Sequence, residues 1–194
     1  MAIRKVIQIG EPSLVELSKE VKDIFSSSTS QIVGDLIETL EEVKGVGMAA
    51  PQIGENYRIF ITEIPVSPIR LPINADELRV YINPVITEVS EEIIEIYESC
   101  LSIAFAELFL PILRPQTITV EAYDQQGRRF RLRCNGLLAR VIQHEYDHLE
   151  GILFLEKAND FKRAISGEHN RLLNSTSKEV FENRKITLKE FTYL

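Results

Sequence analysis

The 194-residue chain is short of several things, and each shortage removes a class of protein. It holds two cysteines, Cys100 and Cys134, too few for a disulfide framework, so each thiol is left to bind metal, catalyse or fill a core. Long apolar runs are missing. The longest, residues 103–113, is interrupted by Glu107 and falls well short of the roughly 20 residues a membrane helix needs. The opening MAIRKVIQIG carries Arg4 and Lys5 with no apolar stretch or small-residue cleavage site behind them. No secretory signal is expected, and the chain reads as soluble and cytoplasmic, with no membrane partner. Positive charge is scarce too: 22 basic against 29 acidic residues give a net charge of −7, which argues against a nucleic-acid surface. Residues 160–194 run the other way, with seven basic and five acidic side chains, and read as an ordinary solvated helix and tail. Repeats and low-complexity blocks are absent apart from SSSTS at Ser26–Ser30.

What is present fits one domain over residues 1–194, since a single core commonly serves roughly 100–200 residues. Between Gln31 and Lys44, the apolar residues Ile32, Val33, Leu36, Ile37, Leu40 and Val43 recur at helical spacing. The SSSTS hydroxyls can cap that helix and Gly45 can stop it. Strand-like runs follow at 57–64, 79–86, 92–97, 117–123 and 128–134, with DQQG at Asp124–Gly127 as a hairpin turn. Pro65, Pro68 and Pro72 mark 64–75 as an extended loop. A second helix is predicted over 136–150, N-capped by Asn135 and ended by Gly151 in a left-handed turn. A last helix is expected near 160–173, with a tail behind it. The fold class is therefore α+β, mostly antiparallel sheets packed around the helix that carries QHEYDHLEG.

That stretch holds two of the three histidines in the chain. On a helix, positions i and i+4 share a face, so His144 and His148 can converge on one ion. Glu145 lies about 100° around the axis from His144, near enough to serve chemistry at the ion without binding it. A catalytic metal site keeps three protein ligands and one open position. A histidine at 154 would complete one known spacing, but Phe154 stands there. Glu168, twenty residues past His148, and Cys100, in YESCLSI, both remain as third ligand on spacing alone. Cysteine with two histidines accepts iron(II), zinc, nickel or cobalt.

Three separated segments, GVGMAAPQIG (Gly45–Gly54), ESCLS (Glu98–Ser102) and NGLLARVIQHEYDHLEG (Asn135–Gly151), resemble in order the signature motifs of the peptide deformylases, and the likeness weakens after about Leu155. The resemblance implies a metal-dependent hydrolase that removes the formyl group from N-formylmethionyl peptides of newly made proteins. It implies Cys100 as the third ligand beside His144 and His148, with iron(II) as the cellular ion. It makes Glu145 the acid/base and assigns the oxyanion donors to the Gln52 amide and the Leu101 backbone N–H. Val46, Ile96, Leu137 and Val141 would form the methionine slot, Gly47 would offer main-chain groups to the peptide, and Glu98 would join the substrate site. Asp147 would stand behind the ligands, while Cys134 has no counterpart role and reads as a buried thiol. The formyl-peptide substrate and a transient ribosome contact are the implied partners.

Two departures stand out. Ser99 replaces the family's usual glycine before the cysteine, and at positive φ a serine would cost roughly 1–2 kcal/mol. After CLSI the chain runs AFAELFLPILR, apolar and about two residues longer than the pattern, with Arg114 in the place of the family's next arginine. That run would be a core strand, a reshaped groove or a homodimer interface. Two rival functions also follow from the residues: a zinc peptidase with Glu168 as third ligand, and a non-catalytic deformylase-like binding module. The intact set Gln52, Cys100, His144, Glu145 and His148 speaks against the second.

Overall fold

Alternation along one strand builds two opposed apolar faces. In β2 (Ile59–Ile64), Phe60 and Ile64 turn to one side and Ile59 and Ile61 to the other, and all four are fully buried. Side chains of period two must lie on opposite faces of a sheet, so burial on both faces requires a cover on each. In the computed structural model, which describes residues 2–67 and 71–194, two helices supply those covers. Helix α1 (Ser27–Val43) lays Ile32, Leu36 and Leu40 against Ile59, Ile61, Val80 and Ile82. Helix α2 (Gly136–Leu149) lays Leu138, Ile142 and Leu149 against Phe60, Tyr81, Val120 and Leu132.

The remaining strands are β1 (Gly47–Ala49), β3 (Asp76–Val89), β4 (Ile93–Glu98), β5 (Leu108–Pro115), β6 (Thr117–Tyr123), β7 (Arg129–Asn135), β8 (Ile165–Ser166) and β9 (Lys189–Tyr193). A six-stranded sheet runs β1-β2-β3-β6-β7-β9 and a three-stranded sheet runs β4-β5-β8, with every strand pair antiparallel. The fold is α+β, as expected. Strand β3 outruns its predicted span at both ends, and Asn83 (φ 50°) and Pro84 sit inside it where the register to β6 shifts; at such a bulge the missing proline N–H breaks no ladder. Of the predicted proline loop, Pro72–Asn74 forms a 3-10 turn, and Pro68 lies outside the described residues. Among the described residues, no helix is long and apolar enough to cross a membrane.

The helix ends correct several expectations. Helix α1 starts at Ser27 because the Ser26 hydroxyl accepts from Thr29 N–H at 3.1 Å, and Lys44 rather than Gly45 takes the left-handed cap. Gly151 is left-handed (φ +70°) as predicted. Asn135 precedes α2 without capping it, since its Oδ1 accepts the N–H groups of Thr187 and Leu188, both at 2.9 Å. The helix expected near 160–173 begins only at Gly167. Pairing of Ile165 and Ser166 with Phe109 and Leu108 holds those two residues in a strand, and Ser166 caps the helix that follows. The tail then carries α3 (Gly167–Thr176), α4 (Lys178–Arg184) and β9, the last two unforeseen.

The tail is clamped to the start of α2. Gly136 has φ +62°, and a Cβ there would stand 2.1 Å from the Lys185 carbonyl oxygen. Gly136→Ala therefore combines a left-handed alanine, about 1–2 kcal/mol, with a backbone clash. We expect a loss of stability above that range, read as a lower urea midpoint at unchanged m-value.

Candidate active site

Two elements deliver three ligating atoms to one point. Helix α2 projects His144 and His148 from a single face, their ring centroids 5.1 Å apart. The turn after β4 delivers Cys100, whose Sγ lies 3.2 Å from His148 Nε2. The ligating atoms of Cys100, His144 and His148 lie within 4.8 Å of one another, and they form the one such group among the described residues. Glu168, the rival third ligand, sits in the first turn of α3 outside this group. Spacing alone left Glu168 and Cys100 open; the fold brings Cys100 in because β4 ends against α2.

The electrostatics of the cluster fit a divalent cation. Burial alone would push the Cys100 thiol up, but His148 and His144 hold it well below its ordinary value. Burial likewise opposes charge on His144, yet contacts with Cys100 and Glu98 raise it well above the usual imidazole range. A thiolate facing imidazolium protons is the arrangement a cation displaces on binding, because the ligands must give up those protons to coordinate. Two nitrogens and a sulfur are a donor set for iron(II) or zinc.

Behind the ligands lies a buried ion network. Glu98 Oε2 faces His144 Nδ1 at 3.1 Å, which assigns the proton to Nδ1 and leaves Nε2 for the ion. Arg114 donates to both Glu98 oxygens at 2.7 and 2.9 Å and to Asp147 Oδ2 at 2.6 Å. Arg140 adds a bond to Glu98 Oε1 at 2.9 Å, and Lys157 pairs with Asp147 at 3.2 Å. Although burial pushes the Glu98 carboxyl up, Arg114 and His144 hold it well below the carboxylate range. Glu98 was expected at the substrate. It lines the groove beside the cluster, and its oxygens are also held by Arg114, Arg140 and His144, so it fixes the His144 ring as well. Asp147 is buried behind the cluster, paired with Arg114 and Lys157. Arg140 was missed, although a charged residue four positions before His144 on an otherwise apolar helix face was a usable signal.

Glu145 is buried, its Oε2 has no hydrogen-bond partner among the described residues, and burial pushes its carboxyl up to about 7 against the opposing pull of His144 and His148. A carboxyl that titrates near neutrality is suited to both accept and return a proton. Strand β1 runs directly past it: a Cβ on Gly47 would stand 2.5 Å from Glu145 Oε1 and 2.7 Å from Val141 Cγ1. Glycine at 47 therefore leaves room for the Glu145 carboxylate. Gln52 lies in the 3-10 turn Ala50–Ile53. Its Oε1 accepts Ala49 N–H at 2.8 Å, which aims Nε2 at Cys100 Sγ (3.6 Å) and Ser102 Oγ (3.3 Å).

A groove of about 440 Å³ opens beside the cluster, and Val46, Gly47, Ile96, Leu101, Leu137 and Val141 all line it. The two departures resolve here. Ser99 is not among the residues with positive φ, so the feared strain is absent; left-handed backbone falls instead on Ala104, Phe105 and Ala106 (φ 48°, 51° and 62°). The apolar run ends as core strand β5, with Leu110 and Ile112 fully buried and Ile103 nearly so, while Phe105 and Leu113 stay exposed. Cys134 is buried in β7 with its thiol pushed up to about 12, by burial first and by Asp76 second, as an inert core thiol should be.

Comparison with known proteins gives one family. A sequence model of the polypeptide deformylases matches residues 3–164. A peptide deformylase of Dictyoglomus turgidum is 43% identical over 156 residues, 80% of this chain and 93% of that one. One from Treponema pallidum is 37% identical over 155 residues, 80% and 88% respectively. Among solved structures, the peptide deformylase of Ehrlichia chaffeensis superposes with a TM-score of 0.74 at 32% identity, covering 84% of this chain and 91% of that one. That of Thermotoga maritima gives 0.73 at 29%, covering 82% and 100%.

The buried network generates a paired expectation. Arg114→Met leaves Asp147 and part of Glu98 without a buried counter-charge and should cost about 3–5 kcal/mol in chemical denaturation. Glu98→Gln releases the His144 ring and should weaken metal binding by about 10–100-fold in chelator competition.

Proposed function

Because the chain belongs to the polypeptide deformylase family, we propose that it removes the N-formyl group from N-formylmethionyl peptides of newly made proteins and releases formate. The observation that carries this reading is the convergence of Cys100, His144 and His148 beside a buried, partnerless carboxylate oxygen of Glu145. Cys100, His144 and His148 hold one divalent ion, iron(II) in the cell with zinc, nickel or cobalt as replacements. When bound, such an ion would supply Lewis acidity for amide hydrolysis near neutral pH.

The protein's own groups do the rest. Glu145 takes a proton from the attacking water as the new carbon–oxygen bond forms, and returns it to the amine nitrogen as the carbon–nitrogen bond breaks. Negative charge growing on the formyl oxygen is met by Gln52 Nε2 and the Leu101 N–H. Gln52 is pre-aimed by Ala49, so it reorganises little during reaction. Val46, Ile96, Leu137 and Val141 take the methionine side chain, and Gly47 offers main-chain groups to the peptide. Residues 1–194 act as one catalytic unit, in the cytoplasm, where the ribosome supplies formylated chains.

Three outcomes check this reading. Glu145→Ala should keep one bound ion by elemental analysis yet lose formate release from a formyl-Met peptide by about 10²–10⁴-fold. Cys100→Ala should lose the ion while Glu168→Ala keeps it, the reverse of what a peptidase using Glu168 requires. In the pH profile, only ionised Glu145 accepts a proton, and its buried carboxyl sits at about 7 before a cation is added. The base form is present above that value and lost below it, and a bound cation pulls the value lower. The kcat/KM should therefore rise through an acidic limb with its midpoint at or below about 7 and then level, and Glu145→Asp should move that limb.

A further inference from the structure

The large sheet ends on an open edge. Strand β9 is its last strand beyond β7, and its residues alternate in facing β7. Leu194 N–H donates to the Arg129 carbonyl at 2.9 Å, and the Leu188 carbonyl accepts the Asn135 N–H at 3.2 Å. In an antiparallel pair the N–H and C=O of one residue point the same way and successive residues alternate, so Glu190 and Thr192 face β7 as well. Lys189, Phe191 and Tyr193 turn their N–H and C=O groups outward. The strand lacks the usual guards against pairing: it has no proline and no register shift against β7, and the ammonium of its lysine is drawn back to Asp76 at 2.6 Å. Its entry is fixed, because Asn135 Oδ1 accepts the N–H groups of Thr187 and Leu188. A regular, pre-positioned edge with unpaired main-chain groups is a template for another strand.

Apolar surface reaches this edge. Rings follow one another outward from the core, Phe60, Tyr81, Phe130, Phe191 and Tyr193, with neighbouring centroids 4.4 to 5.6 Å apart, and the last two are 37% and 49% exposed. The strand also complements itself. With Phe191 on a two-fold axis, antiparallel pairing of two copies sets Phe191 against Phe191, Lys189 against Tyr193 and Glu190 against Thr192. Every outward N–H and C=O of the three residues then meets its counterpart. On the face that carries the β7 arginines, the register aligns Glu121, Arg131 and Thr192 across one copy and Glu190, Arg133 and Thr119 across the other. The joined row alternates acid and base with no like charges adjacent along it, the arrangement that favours cross-strand pairs. An arbitrary strand offers the main-chain bonds but not this charge order, which selects a second copy of the chain.

We propose that β9 is a homodimer interface, at which two copies pair edge to edge and join their large sheets into one. No residue of β9 lines the groove, so the proposal stands apart from the deformylase reading. Sedimentation of the metal-loaded full chain should show a concentration-dependent dimer of 2 × 22.2 = 44.4 kDa. Tyr193→Pro removes one outward N–H and keeps the bonds to β7, since an edge strand accepts a proline whose N–H would face away from the ladder. It should remain monomeric where wild type is dimeric. Thr192→Glu sets a carboxylate opposite the partner's Glu190 and should raise the dimer dissociation constant by about tenfold, whereas Thr192→Lys should leave it unchanged or lower it. Urea midpoints check that each variant is folded, and if the proline variant is not, the Thr192 pair decides. Hydrogen exchange at the Phe191 and Tyr193 amides should slow as the wild-type concentration rises through the dimer transition. Wild type that stays monomeric up to about 0.1 mM overturns the proposal. So does a dimer on which Thr192→Glu and Thr192→Lys act alike, or one that leaves those two amides exchanging as fast as in the monomer.

Discussion

The Arg114 guanidinium, only 3% exposed, stands between the carboxylates of Glu98 and Asp147. With water excluded, none of these charges is tolerable alone, because an unpaired buried ion costs several kcal/mol. Their mutual need fixes geometry. Glu98 ends β4, Arg114 lies on β5 and Asp147 lies on α2, so the network ties the small sheet to the helix of the large one. The same Glu98 carboxylate faces His144 Nδ1, and the turn that places Cys100 follows Glu98 by two residues. One ion pair thus holds both the β-derived sulfur and a helical imidazole in the register that a metal requires.

Helix α2 meets two demands with one periodicity. Leu138, Ile142 and Leu149 press into the sheet, while Leu137, Val141, His144 and His148 turn towards the groove and the ligand cluster. Glu145 falls between these faces, buried enough for its carboxyl to titrate near neutrality yet in van der Waals range of β1 at Gly47. Desolvation that would be a pure cost in a structural helix here raises the Glu145 carboxyl to the range that the proposed proton transfer needs. The helix can carry this polar face because Arg140 is drawn into the Glu98 network.

How far the chain could be read in advance depended on the range of the interactions. His144 and His148 were visible because their relation is local, one helical turn. The antiparallel strands were visible through alternation, and β6 spans its predicted residues. Cys100 was reachable only through resemblance: its partner His148 is 48 positions away, and no local pattern encodes that contact. Residues 103–113 resisted reading because Glu107 and Pro111 break the alternation that would mark a strand. Helix α4 and β9 were missed for the reason that the function of Asn135 was missed. Both depend on the tail returning to the start of α2, a closure made by backbone and by one asparagine rather than by any apolar pattern.

The same distinction explains where the chain departs from its relatives' pattern without harming the site. Ser99 is tolerated because its backbone keeps a negative φ, and the strain associated with the lengthened segment is carried five to seven residues later. Three successive left-handed residues, Ala104 to Ala106, cost about 1–2 kcal/mol each. They persist because the segment is anchored on both sides, by Ile103 in the core before it and by β5 after it, where Leu110 and Ile112 are fully buried. The turn also receives two backbone bonds from Ala106, to Cys100 and Ile103. Strain is therefore held one loop away from the ligating sulfur, and its visible result is Phe105, 70% exposed at the mouth of the groove. An aromatic ring kept exposed by left-handed backbone places apolar surface in the lining of the groove.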